Sequence, residues 1–89
     1  MARFLILTTF SSHEARLEHR PAHREYLHQL VADGVLISAG PFADETGGLM
    51  IIEAETEDAV REGLAKDPFT INGVFATTDI REWTLVAGR

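Results

Sequence analysis

The chain has no cysteine, which excludes a disulfide framework, a thiolate zinc site and a cysteine nucleophile. Positive charge is also scarce. Eight Lys and Arg stand against fourteen Asp and Glu, a net charge of −6, and this balance argues against nucleic acid and polybasic membrane contacts as partners. Long apolar runs are missing too. Phe4-Leu5-Ile6-Leu7, behind Met1-Ala2-Arg3, is too short for a signal core or a membrane span, so a cytoplasmic protein is expected. The 89 residues make a single domain, one that buries only about 60–65% of the surface its unfolded chain exposes. Help from a second subunit is therefore expected.

Much of the chain is organised around Leu64-Ala65-Lys66-Asp67-Pro68-Phe69. Proline cannot continue a helix and pushes the preceding residue out of the α region, so a helix ends at or before Asp67. Lys66 suits the negative end of a helix dipole, and Asp67 opposes it. Either Asp67-Pro68 is a turn, or the carboxylate is held there for chemistry and needs a partner.

Taken in order, Arg3 to Thr9 is a strand with Phe4, Ile6 and Thr8 on one face and Leu5, Leu7 and Thr9 on the other. Ser11 and Glu14 have capping-box spacing for a helical turn, which Pro21 interrupts, and the main first helix is expected from about Arg20 to Asp33, stopped by Gly34. Ala22, His23, Tyr26, Leu27, Leu30 and Val31 form its apolar stripe, while Arg24 and His28 fall on the solvated side. Val35 to Ala39 is a second strand closed by Gly40-Pro41, Asp44 to Gly48 a polar hairpin loop, and Leu49 to Ala54 a third strand. Thr56 caps a second helix running to about Lys66, with Gly63 a candidate for close approach to the sheet. A connector covers Phe69 to Gly73. The last strand covers roughly Phe75 to Val86, and the final two or three residues read as a tail.

The order β-α-β-β-α-β is that of the ferredoxin-like α+β sandwich, a four-stranded antiparallel sheet with two helices on one face. Strand and helix directions bring the start of the first helix and the end of the second to the same end of the sheet. His23 and Asp67 therefore converge, beside Thr8-Thr9-Phe10, Ser38, Gly40, Pro41 and Phe69, around a small pocket. A carboxylate beside an imidazole fixes its tautomer and supports the imidazolium that forms when the ring takes a proton. Because both strand faces are apolar, the face opposite the helices is expected to pair with a second copy in a homodimer.

Arg20-Pro21-Ala22-His23, Leu36-Ile37-Ser38-Ala39-Gly40-Pro41, Lys66-Asp67-Pro68-Phe69 and Ile80-Arg81-Glu82-Trp83 together resemble the YciI-like, or YCII-related, domain across almost the whole chain. The resemblance implies a dimeric α/β-barrel protein whose proposed active-site pair falls on His23 and Asp67, with Arg20 and Ser38 as further site residues. The family often carries tyrosine after Asp-Pro where this chain has Phe69, so no role for that hydroxyl is expected. A related domain is a dehydrochlorinase of aromatic degradation, which implies lyase or isomerase chemistry.

Two readings of function result. In the first, the protein is a cofactor-independent enzyme in which His23, oriented by Asp67, moves a proton on a small polar or carboxylated metabolite held by Arg20. In the second it is a non-catalytic small-molecule binding or interaction module, and the His–Asp pair is structural. Metal binding through His19 and His23 has helical spacing but lacks a nearby third ligand, so no metal or other cofactor is expected.

Overall fold

The computed structural model describes residues 1–88. Strands β1 (Ala2–Phe10), β2 (Leu36–Pro41), β3 (Gly47–Ala54) and β4 (Phe75–Trp83) form one antiparallel sheet in the order β2-β3-β1-β4. Helices α1 (His13–Ala32), α2 (Glu57–Ala65) and the single turn α3 (Pro68–Ile71) complete the expected ferredoxin-like α+β sandwich. No helix among the described residues is long and apolar enough to cross a membrane. The tail expected at the end of the chain reaches residue 89, outside the described residues.

Period-two alternation sorts the sheet into two faces. Register pairs Phe4 with Ile52 and Ile6 with Met50, and these four side chains are buried with Leu36, Val60 and Leu64 in one core under the helices. Leu5 pairs with Ile51 and Leu7 with Leu49 on the opposite face, where all four are half-buried. On that face β4 presents Arg81 beside Leu5 and Asp79 beside Leu7, ion-paired to each other at 2.8 Å. The open face is thus apolar along β1 and β3 and charged at its β4 edge.

The first helix departs most from expectation. It begins at His13, with the Ser12 hydroxyl, not that of Ser11, accepting the Ala15 N–H at 3.2 Å, and it continues unbroken through Pro21. Ser11 is occupied elsewhere, donating its N–H to the Val74 carbonyl and its hydroxyl to the Gly73 carbonyl, each at 2.7 Å. Pro21 denies the Leu17 carbonyl its helical donor, but both residues are exposed, so water can serve that oxygen. Ala22 and Val31, assigned to the buried stripe by periodicity, are exposed, Val31 along the margin of a cavity between α1 and the sheet. The helix ends as expected, with Gly34 at φ +77 after the Asp33 cap. β4 stops at Trp83, three residues short of the expected Val86.

β3 starts at Gly47, two residues before the expected Leu49, because Gly47 and Gly48 belong to the sheet and not to the loop. A Cβ on Gly47 would strike the Thr8 backbone, and one on Gly48 would lie 2.8 Å from the Gly40 carbonyl oxygen. Gly63 has no such constraint: a Cβ there meets nothing within 4 Å, so the close approach to the sheet expected at that position does not occur. Gly47→Ala should therefore destabilise the fold by about 1–3 kcal/mol through overpacking against backbone. Gly63→Ala should stabilise it by roughly 0.5–1 kcal/mol through helix propensity. Chemical denaturation of the two variants checks the opposite signs.

Candidate functional site

α2 ends at Ala65, and the chain turns so that Asp67 stands at the start of α3. Asp67 does not oppose a helix dipole there. It is the N-cap of α3, its Oδ1 accepting the Phe69 N–H at 2.9 Å while Pro68 occupies the first helical position. The same oxygen lies 2.7 Å from His23 Nδ1. The Asp67 side chain is 1% exposed and that of His23 13%. When Oδ1 accepts from both neighbours, the imidazole carries its proton on Nδ1 and presents Nε2 as the free lone pair. His23 sits in the middle of α1, which spans His13–Ala32, so the helix-end electrostatics expected from a start at Arg20 do not act on it.

The imidazole is also held by aromatic contacts. The Phe69 ring stacks on His23 with centroids 3.7 Å apart and planes within 3°, and Phe75 meets both rings edge-on. Phe10 meets Phe69 edge-on at 6.0 Å and stacks on Phe75 at 6.3 Å. A bulge delivers Phe75 to this cluster. Thr9 pairs with Thr77 but Phe10 with Phe75, so Ala76 is the extra residue and the alternation of β4 reverses beyond it. Under regular pairing with no bulge, Ala76 would face the cluster and Phe75 the other side of the sheet.

These rings close one end of a cavity of about 370 Å³ between α1 and the sheet. His23, Gly40, Pro41 and Phe69 line it together with Arg20, whereas Asp67 lies behind His23 and outside the lining. Ser38 is not brought to the site. Leu36 pairs with Ile52 and Ser38 with Ile51, so a bulge at Ile37 flips parity and puts Ser38 on the open face of the sheet. Arg24 and His28, read from periodicity as solvated, stand exposed at the cavity margin. His19 lies against Glu18, its Nε2 3.8 Å from the carboxylate, and among the described residues no three His, Asp or Glu converge as a metal site.

Sequence reasoning passed over two residues of the site. Arg16 is buried, its guanidinium 4.7 Å above the Phe10 ring and its Nη1 3.1 Å from Glu45 Oε1. Its spacing of four from Arg20 and seven from His23 was the available signal, hidden by the assumption that the helix began at Arg20. Glu45 reaches it from the β2–β3 loop with φ +62, a left-handed conformation that costs a non-glycine residue roughly 1–2 kcal/mol. Asp44 steadies that turn by accepting the Thr46 hydroxyl at 2.7 Å and its N–H at 3.1 Å, contacts that hold its carboxyl below the usual range.

Tyr26, one turn beyond His23, donates its hydroxyl to the Gly63 carbonyl at 2.7 Å and so ties α1 to α2. Burial first, and the Asp67 carboxylate second, push its pKa above the ordinary value.

A four-stranded ferredoxin-like sheet with an aromatic-walled cavity beneath its long helix and a His–Asp contact at one end describes a class of small α+β proteins. Within that class the chain belongs to the YCII-related domain family, whose profile matches residues 2–84. It is 38% identical over 81 residues to the uncharacterised protein YjpA of Bacillus subtilis, an alignment covering 90% of this chain and 93% of the relative. Its fold superposes with a TM-score of 0.80 and 32% identity on 5-chloro-2-hydroxyhydroquinone dehydrochlorinase from Burkholderia phenoliruptrix, solved in complex with 2,5-dihydroxybenzoquinone, over 92% of this chain and 93% of that one. A likeness to an antibiotic biosynthesis monooxygenase, with TM-score 0.63 and 18% identity over 98% of this chain and all of the other, is one of fold alone.

The Tyr26 contact has a pH signature. Because its folded pKa is raised, its contribution to stability is full below the unfolded value near 10 and is lost as pH climbs through the folded value. As the chain's single tyrosine, it can be followed alone by phenolate absorbance. The midpoint should lie above that of free tyrosine and fall in Asp67→Asn, and Tyr26→Phe should flatten the alkaline loss of stability. An ordinary midpoint unmoved by Asp67→Asn would refute the assigned causes.

Proposed function

We propose that the protein is a cofactor-independent enzyme that moves a proton on a small polar or carboxylated metabolite, in lyase- or isomerase-type chemistry. The 2.7 Å contact between His23 Nδ1 and Asp67 Oδ1 carries this reading. It leaves Nε2 as the base, on a ring whose plane is set by the Phe69 stack at the wall of an apolar cavity. His23 Nε2 takes a proton from a carbon next to a carbonyl, and the freed electron pair moves into that carbonyl as an enolate. The enolate then expels a leaving group from the neighbouring carbon or takes a proton back elsewhere. Asp67 supports the imidazolium while the proton is held, and Arg20 offers positive charge to the oxyanion. The similar dehydrochlorinase, which by its name removes hydrogen and chlorine from its substrate, supports this class of chemistry.

A structural role for the pair is the second reading, favoured by the Phe69 N–H bond to the same Asp67 oxygen. Substitution separates the two. Asn at position 67 can still accept from Phe69 N–H and His23 Nδ1, so Asp67→Asn should fold while losing the charge that supports the imidazolium. His23→Ala should lower kcat/KM by about 10²–10⁴. Chloride release from 5-chloro-2-hydroxyhydroquinone and solvent deuterium uptake into pyruvate and acetoacetate are suitable assays. Rates unchanged in His23→Ala, or no turnover by the wild type with any of these, would favour the binding module.

The proposal includes a cytoplasmic homodimer formed through the open sheet face. Leu5, Leu7, Leu49 and Ile51 are side by side there, with Ile37 exposed beside them, and no helix among the described residues covers them. Two-fold pairing would cover this strip and leave the Arg81–Asp79 pair at its rim. Sedimentation should give a dimer at micromolar concentration, and Leu7→Glu should convert it to monomer. A wild-type monomer would refute the interface.

A further inference from the structure

In a chain of net charge −6, the cavity walls carry Arg16, Arg20 and Arg24 and no aspartate or glutamate among the described residues. All three arginines project from one side of α1 at four-residue spacing. They differ in burial. Arg24 is exposed and Arg20 half-buried, whereas Arg16 is 4% exposed, although arginine ordinarily keeps its head in water. Among the described residues its one ionic partner is the mostly exposed Glu45, bonded through Nη1 alone. Nε and Nη2 make no side-chain hydrogen bond among the described residues, yet no buried nitrogen or oxygen there lacks a partner. These donors of Arg16 are therefore not sealed from solvent, and Arg16 lines the cavity.

The guanidinium lies over the Phe10 ring, Phe10 meets Phe69, and Phe69 lies flat on His23. One continuous wall thus runs from a fixed cation to the imidazole, and Leu27 and Leu36 supply apolar surface alongside. We propose that Arg16 is the specificity-determining residue of the cavity, binding an ionised oxygen of a small anion whose apolar body lies along that wall. Glu45 holds Arg16 in place through one nitrogen and competes with the anion for its charge. This deepens the proposed function and rests on the cavity being the substrate site, but it concerns binding and requires no turnover.

Calorimetric titration with benzoate and with its neutral isostere benzamide tests it. Wild type should prefer benzoate by about tenfold or more, since a charge-assisted contact to a fixed guanidinium is lost in the amide. Arg16→Gln should abolish that preference by weakening benzoate alone, and Arg16→Lys should restore part of it. Glu45→Gln should tighten benzoate severalfold by removing the competing carboxylate. His23→Ala should keep the preference even where it removes turnover, so binding and catalysis fail separately. A wild type indifferent to charge, or one that binds neither probe, overturns the proposal, as does an Arg16→Gln variant that keeps the preference. If Arg16→Gln does not fold, Glu45→Gln decides. Benzoate affinity unchanged or weakened there means that the Arg16–Glu45 pair is only a tie between loop and helix.

Discussion

Asp67 Oδ1 is bonded at once to the Phe69 N–H and to His23 Nδ1, and through them one nearly inaccessible oxygen joins α1 to α3. A buried carboxylate is costly unless it accepts hydrogen bonds, and two donors at under 3 Å satisfy its Oδ1. The same contacts bring Phe69 flat against the imidazole, since capping sets where α3 begins and the ring follows from the first turn. His23 is thereby fixed in position, plane and tautomer by a single residue. A helix cap and an orienting carboxylate are the same group, so structure and candidate chemistry share one bond.

The cavity exists because the sheet beneath α1 is irregular at its rims. At the β1–β4 rim the extra residue Ala76 turns Phe75 inward, and at the β2–β3 rim Ile37 turns Ser38 outward. Between them, Gly47 and Gly48 keep side chains out of the tightest backbone approach. The result is a wall of rings and backbone at one end and aliphatic side chains at the other. Basic residues of α1 gather against it in an otherwise acidic protein.

Element types, their order and the two faces of β1 and β3 were legible in the chain because they rest on local signals. Period-two alternation, the Thr56 cap, the Gly34 stop and Pro68 all act within a few residues. The meeting of His23 and Asp67 followed from connectivity and strand direction. Other features were not local. Pro21 reads as a helix start, yet the helix passes through it, because packing of α1 against α3 and β2 outweighs one lost hydrogen bond. That misplaced start concealed Arg16 and gave His23 a helix-end environment it does not have.

Parity was the other loss. A one-residue bulge leaves no mark in apolar alternation that a loop end would not also leave, yet it moves every later side chain to the other face. Ser38 and Phe75 changed sides in this way. Asp67 shows the same division from the opposite direction. Its sequence neighbours established that a helix must break there, a matter of proline's missing donor. That its carboxylate caps the next turn and holds an imidazole 44 residues away depended on where α1 and α3 come to rest, and long-range packing alone sets that.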